Sequence, residues 1–239
     1  MAAAEFAPQT IGRVVGVFAG GPKTLRDAQG EWRSSIARDV VQGPARVETR
    51  GLLGDQATQP YRGDLDKAVC LHSASHYAFW NEHLGLSLMP GGVGENLTMG
   101  GVDDQGVCDE SVVCVGDIFQ IGSVTLQISG PRTPCETQAR RVGRADWVDL
   151  TLRSLRTGMY ARVRAPGSLQ SGDALLLAAR PNPGLTVQNL VLCYSTTFDA
   201  ELAKRMIDAE GLILWWAERF ERRLREETAR QAREEMENR

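Results

Sequence analysis

The chain has 239 residues, 42% hydrophobic and 24% charged, the mix of a globular protein rather than a disordered one. Its net charge of −3, with a pI near 5.7, excludes a domain-wide basic footprint, so no nucleic-acid polymer is expected as a partner. The first ten residues lack the basic and apolar segments of a secretory signal, and no apolar run approaches bilayer length; a soluble, cytoplasmic protein with no membrane partner is expected.

In chain order, residues 11–19 (IGRVVGVFA) are short and β-branched and predict a first strand. Arg46–Thr49 and Ala68–His72 predict two more. Residues 74–84 place Tyr77, Trp80 and Leu84 on one face, with Ser73 as N-cap and Gly85 as the stop, and predict a helix. From Ser111 to Ser129, short apolar runs are punctuated by Gly116-Asp117 and Gly122-Ser123. That pattern predicts a tight three-strand antiparallel meander. A second helix is expected over 147–157, begun by Asp146 and stopped by Gly158. Tyr160–Arg164 and Ala174–Ala178 predict two further strands. Pro181-Asn182-Pro183-Gly184 then breaks every regular element. Beyond it the pattern is helical over 187–194, 199–209 and 212 onward, where Leu212, Trp216, Phe220 and Leu224 form a stripe. Glu218/Arg222, Glu221/Arg225 and Glu226/Arg230 are spaced as i,i+4 pairs. Trp215 beside Trp216 cannot share one narrow stripe, which predicts a second buried face.

The five cysteines are odd in number and scattered, which argues against a disulfide framework and for a reducing compartment. No C-x-x-C pair is present to suggest structural zinc or an iron–sulfur cluster. Cys70, Cys114 and Cys193 lie in apolar runs and are expected in the core. Cys108, in a polar stretch, is assigned no role. Cys135 differs: it ends Gly130-Pro131-Arg132-Thr133-Pro134-Cys135, a polar loop between fixed prolines. Arg132, Arg140 and Arg141 flank it in sequence and, if also near in space, would favour the thiolate. Against that stands an incidental loop cysteine.

Gly91-Gly92-Val93-Gly94-Glu95-Asn96 is a glycine-rich loop whose N–H groups could approach an anion, although it has neither a Walker nor a dinucleotide register. Its bland alternative is a flexible connection. Gly54-Asp55 and Gly63-Asp64-Leu65-Asp66-Lys67 mark a polar segment before a strand, where turn chemistry is the simpler reading. His72 and His76 have the i,i+4 spacing of zinc enzymes. Ser73 stands where a metalloprotease needs glutamate, so core or capping roles are expected for both histidines.

Taken in order, these motifs resemble the MOSC domain family, the C-terminal domain of molybdenum cofactor sulfurases, and within it the YiiM-type bacterial branch. The resemblance rests on Gly54-Asp55, Arg62-Gly63 leading into Lys67-Ala68-Val69, and Trp80. It continues through Gly94-Glu95-Asn96-Leu97, Gly116-Asp117, Arg132-Thr133-Pro134-Cys135 and Gly158-Met159-Tyr160, and spans most of 11–180. Two departures stand out: Arg62-Gly63-Asp64 replaces the family's His-Gly-Gly, and Glu136-Thr137 follows the cysteine where relatives often carry a bulky residue and a lysine.

The resemblance implies a β-rich, barrel-like α/β domain over 10–180 and a C-terminal three-helix module over 185–239. It implies a molybdenum cofactor of the molybdopterin type, with Cys135 as the protein ligand to the metal. Arg132, Lys67, Gly94, Asn96, Arg140 and Arg141 are then the candidates for binding the cofactor. By analogy with relatives, the activity would be reduction of a small N-hydroxylated compound, with Glu95 or Asp64 as proton donor and electrons from a separate reductase. In the alternative reading, the chain is a cofactor or sulfur carrier and Cys135 bears a persulfide. The helical tail is a candidate homodimer surface in either case.

Overall fold

The structure is a computed structural model and describes residues 6–56, 64–103 and 106–237. Its centre is a closed barrel. Strands β1 (Gln9–Ala19), β7 (Val69–Ser73), β8 (Leu97–Gly100), β9 (Ile118–Ile121), β10 (Val124–Pro131), β11 (Met159–Ala165) and β13 (Ala174–Ala179) pair in the order β13-β9-β10-β11-β7-β8-β1, and β1 returns to β13. Among the described strands only β7 and β8 run parallel. They therefore need a crossover, supplied by α1 (Ala74–Leu84), in place of a hairpin turn.

Closure depends on β1, which serves two partners. Its first half pairs with β13 and its second with β8, with register shifts between Thr10 and Gly12 and between Val14 and Gly16. Such irregularities bend a strand enough to turn a barrel corner. Gly12 permits the bend, since a Cβ there would lie 2.4 Å from the carbonyl oxygen of Gly100.

Three smaller pieces decorate the barrel. A hairpin of β2 (Lys23–Asp27) and β3 (Gly30–Ser34) stands apart; β4 (Asp39–Val40) extends β1; and β5 (Ala45–Glu48) pairs with β6 (Gly51–Leu52) and β12 (Gly167–Leu169). The sequence reading found the strands with β-branched runs. It passed over β2, β3, β4, β6, β8 and β12, which are short and mixed in composition.

The expected three-strand meander is a two-strand hairpin, β9–β10. Val113 and Val115 are buried, yet their backbone turns away from it. Val115 N–H donates to Leu185 O, and Val187 N–H to Val113 O, so this segment seals the barrel to the C-terminal helices. The helix expected over 147–157 is α3 (Trp147–Ser154). It stops at Leu155, which takes the left-handed conformation (φ 59°) three residues before Gly158. An additional helix, α2 (Glu136–Val142), follows Cys135 directly.

Three helices close the chain: α4 (Val187–Ser195), α5 (Ala200–Ile207) and α6 (Leu214–Glu237). Leu190, Met206, Trp216 and Phe220 join the same apolar core as barrel residues Phe119, Leu126 and Ile128. Trp216 and Phe220 are buried while Leu212 and Leu224 are partly so, as the stripe predicts. Glu221 pairs with Arg225; Arg222 turns to Glu226, and Arg230 to Glu227 and Glu234, in place of the expected partners. A second apolar cluster packs Trp80 of α1 against Trp147 of α3 with ring centroids 4.9 Å apart, and includes Ala139 of α2. This cluster fixes the helix that begins at Cys135. Among the described residues no helix is long and apolar enough to cross a membrane.

Candidate cofactor site

The site lies where the ends of β7, β10 and β11 meet the loop before β8. Two cavities adjoin there. The first, of about 220 Å3, is lined by Arg38, Arg50, Asp55, Lys67, Cys70, Gly94, Asn96, Arg132 and Tyr160. The second, of about 310 Å3, is lined by Cys135, Thr133, Pro134 and Trp215 and shares Lys67, Arg132 and Tyr160 with the first. The structure therefore brings Lys67, Gly94, Asn96, Arg132 and Cys135 together from three separate stretches of chain.

Arg132 is the central feature. It is 4% exposed, and its one side-chain hydrogen bond runs from Nη2 to Gly94 O at 3.3 Å. Among the described residues its Nη1 has no hydrogen-bond partner. Burial opposes its charge, but Cys70, Tyr160, Cys135 and Glu95 around it hold its pKa above the ordinary value, so it stays a cation. Among the described residues no carboxylate forms an ion pair with it. Its backbone is fixed, with the N–H donating to Gly158 O at 2.9 Å.

Cys135 is half-buried and precedes the first turn of α2. Its N–H donates to Gln138 Oε1 at 3.2 Å, and its carbonyl accepts from the N–H of Gln138, so its orientation is set locally. The other four cysteines are buried. They include Cys108, whose polar neighbourhood in sequence gave no sign of burial; its thiol pKa is pushed up to about 12 by desolvation and nearby carboxylates.

The glycine-rich loop acts differently from the expected anion cradle. The N–H groups of Gly92 and Gly94 donate to Met89 O and Gly91 O, and that of Gly91 to Glu95 Oε1. What the loop offers the cavity is the Gly94 carbonyl, which accepts from both Arg38 and Arg132. Gly94 must be glycine: its φ is +77°, and a Cβ would strike Ile36 at 2.3 Å. Asn96 reaches the cavity wall but serves the fold. Its Oδ1 accepts from Cys70 N–H, and its Nδ2 donates to Asp55 and to Phe18 O.

Four expected site residues are placed elsewhere. Glu95 is fully buried and accepts from Tyr77 and Thr98 hydroxyls at 2.5 and 2.6 Å; it lines neither cavity. Asp64 caps the 3-10 turn Leu65–Lys67 by accepting from Asp66 N–H. Arg140 turns to the β2–β3 hairpin, with Nε 2.5 Å from Asp27 and its guanidinium over Trp32. Arg141 borders a groove with Phe18, Gly91 and Gly92. At about 100° per residue, positions five and six after Cys135 turn to the far side of the helix, and neither arginine of α2 lines the recess with the cysteine. Arg62 and Gly63 lie outside the described residues.

Arg38, Arg50 and Asp55 complete the first cavity. Arg38 and Arg50 had no local signal in the sequence. Arg38 is held by a two-point ion pair with Asp55, itself marked in the sequence only as half of a Gly-Asp step. Only the fold brings positions 38 and 55 together.

Behind the site, His76 Nε2 lies 3.1 Å from Glu110 and 3.8 Å from Asp109. These three form the one cluster of metal-ligating side chains among the described residues. Burial opposes the His76 charge, but Glu110 and Asp109 outweigh it and raise its pKa to about 9, so the two carboxylates answer a charged His76. His72 is buried beside it; desolvation, then the charges of His76 and Arg132, push its pKa well below the ordinary value and leave it neutral. Both histidines are core residues, as the sequence reading expected.

The MOSC domain family matches residues 54–176. This chain belongs to the MOSC domain family. It is 30% identical to the Escherichia coli protein YiiM over 195 residues, covering 80% of this chain and 84% of that one. The fold of YiiM from Geobacillus stearothermophilus superposes with a TM-score of 0.74 at 27% identity, over 89% of this chain and 99% of that one. A Gibberella moniliformis protein named "Reductase" is 32% identical over 165 residues, which are 67% of this chain but 28% of that longer protein.

Proposed function

We propose that this MOSC chain binds a molybdenum–pterin cofactor across the paired cavities and reduces small N-hydroxylated compounds. The observation that carries the reading is Arg132: a buried guanidinium with an unpartnered Nη1, in a cavity where Arg38, Arg50 and Lys67 outnumber Asp55. A buried charge without a counter-ion is costly, and an anionic ligand relieves it.

The donor set fits the group. Guanidinium and ammonium side chains suit the pterin's phosphate, and a thiolate at Cys135 is a soft ligand matched to a metal already held by sulfur. When bound, this cofactor supplies the redox centre for two-electron cleavage of an N–O bond. The overall reaction balances as R–NHOH plus two electrons and two protons giving R–NH2 and water. The chain's own part is to hold and orient. Arg132 and its cationic neighbours would bind the phosphate, Cys135 would hold the metal, and Lys67 and Tyr160, which border both cavities, would be the proton donors. Glu95 is replaced in that role because it lies behind the wall. The electrons are assigned to a separate reductase, since this chain holds neither a dinucleotide fingerprint nor an iron–sulfur cysteine run. The relative named "Reductase" supports an oxidoreductase reading.

The test is cofactor content. Wild type and Cys135→Ser are produced in a host that makes the cofactor, and molybdenum is measured by elemental mass spectrometry and pterin by fluorescence after oxidation. Molybdenum with pterin in the wild type, and metal lost from the variant, is expected. A folded wild type carrying neither overturns the reading and returns Cys135 to the persulfide alternative.

A further inference from the structure

Behind the cofactor cavities, a group of buried polar atoms has nothing to bond. Both ring nitrogens of His72, both of His76, and Glu110 Oε2 lack a hydrogen-bond partner among the described residues, and each of these side chains is 1% exposed. Buried polar atoms are nearly always partnered, so a cluster of orphans needs a guest such as water or an ion. The neighbouring carboxylates are oriented from behind. Asp109 Oδ1 accepts from the Ser111 N–H and hydroxyl at 2.9 and 2.6 Å, and Glu110 Oε1 accepts from the Gly158 N–H. The other oxygen of each is turned to His76 Nε2, with Glu110 Oε2 at 3.1 Å and Asp109 Oδ2 at 3.8 Å. The shorter contact is not a hydrogen bond. All three ligand atoms lie within 4.8 Å of one another. His72 stands beside them, its ring centroid 4.8 Å from that of His76, and a Cβ at Gly158 would lie 3.0 Å from its Nδ1.

We propose that His76, Asp109 and Glu110 form a zinc site, with a water bonded to His72 as the fourth ligand. Zinc takes imidazole and carboxylate together, and three protein ligands with a water complete its tetrahedron. With bonds of about 2.1 Å, tetrahedral ligand atoms stand roughly 3.4 Å apart, between the two observed spacings. Calcium and magnesium favour larger sets of oxygen ligands, which the pocket lacks. The hydrogen bonds behind both carboxylates are the outer supports that metal ligands carry. Asp109, 18% exposed, is where ion and water enter. In the metal-free chain a proton on His76 supplies the positive charge between the carboxylates, and zinc replaces it. The site shares no residue with the two cofactor cavities, so it stands apart from the molybdenum reading. It ties α1, the turn over 109–113 and Gly158 together, and the Gly158 carbonyl holds the Arg132 N–H. The metal is a staple beneath the residue that presents Arg132.

The experiment loads the chelator-stripped full chain with Co2+ and then with Zn2+. One Co2+ per chain is expected, with the strong visible absorption of four-coordinate cobalt, displaced by one Zn2+. His76→Gln and Asp109→Asn should each weaken zinc by about a hundredfold or more. Ser111→Ala removes only the exposed hydroxyl that orients Asp109; its circular dichroism should match wild type while zinc binds about tenfold more weakly. A wild type that takes up no Co2+ from millimolar solution overturns the proposal. So does a thiolate charge-transfer band in the near ultraviolet, which places the metal on a cysteine. Affinity unchanged across the three variants overturns it as well, because the metal then sits on other groups.

Discussion

Two buried charged groups stand on opposite sides of Gly158, and they are finished to different degrees. On one side, Glu110 accepts from the Gly158 N–H and faces His76 at 3.1 Å. On the other, the Gly158 carbonyl accepts from the Arg132 N–H, while the Arg132 side chain has one long hydrogen bond and an unpartnered Nη1. In the first group the opposite charges lie within ion-pair distance of each other, although neither ring nitrogen of His76 nor Oε2 of Glu110 makes a hydrogen bond among the described residues. The second is open toward a cavity. Because both are anchored on one residue, the ion pair holds still the strand end that presents the open charge. The difference between the two groups is an opposite charge within reach, present for His76 and absent among the described residues for Arg132.

The comparison breaks first at the ion pair. Replacing Glu110 with alanine strands a buried His76 cation and frees Gly158, and is expected to cost about 3–5 kcal/mol in denaturant unfolding. A loss below about 1 kcal/mol would show that the pair is not formed in solution. Removing the open charge has the opposite sign in the empty protein. Arg132→Met, similar in length and able to fill the site, is expected to leave cofactor-free stability unchanged or raised, because no internal partner is orphaned.

The same pair predicts a pH profile. The folded pKa of His76 is raised from 6.5 to about 9. Its contribution is therefore fully present below pH 6.5 and lost as pH rises through about 9, by at most about 3 kcal/mol. Asp109, whose pairing with His76 and hydrogen bonds to Ser111 outweigh burial and lower its pKa to about 2, adds stability above its ordinary range near 3.8 that is lost as pH falls toward 2. Unfolding free energy of the metal-free chain measured across pH 6 to 10 should decline, and His76→Gln should flatten that limb. A decline that persists in the variant assigns it elsewhere.

Inorganic phosphate sharpens the open side. If Arg132 and its neighbours await an anion, phosphate at one hundred times its Kd stabilises the cofactor-free protein by about 2.7 kcal/mol. The increment should vanish in Arg132→Met; an equal increment in both proteins would place the anion elsewhere.

Much of the barrel was legible because its strands announce themselves locally, as β-branched runs ended by turn residues. The misreadings share a physical cause. Val112–Val115 has strand composition but spends its hydrogen bonds on the segment before α4, and nothing within four residues records that choice. Helix α2 was missed because its seven residues carry a weak pattern and its stability comes from Ala139 packing near Trp80 and Trp147. Within the site, Cys135, Arg132 and Lys67 were legible from motif order. Arg38 and Arg50 were not, since only the barrel's return brings them to the cavity. Glu95 was misread because a polar residue after glycines looks like a site from sequence, while its hydrogen bonds to Tyr77, Gly91 and Thr98 consume it.

Arg140 gives the smallest expected effect and the cleanest control. It is as cationic as Arg132 and lies five residues from Cys135, so proximity in sequence assigns it to the cofactor. The structure assigns it to Asp27 and Trp32. Its charge is already answered, in a setting more open to solvent than that of Arg132. Arg140→Ala should therefore loosen the β2–β3 hairpin, visible as faster amide exchange in Lys23–Ser34, while molybdenum and phosphate binding stay at wild-type levels. Loss of molybdenum in this variant, with the hairpin intact, would mean that an answered charge can still serve the cofactor, and the distinction between paired and open charges would no longer identify the site.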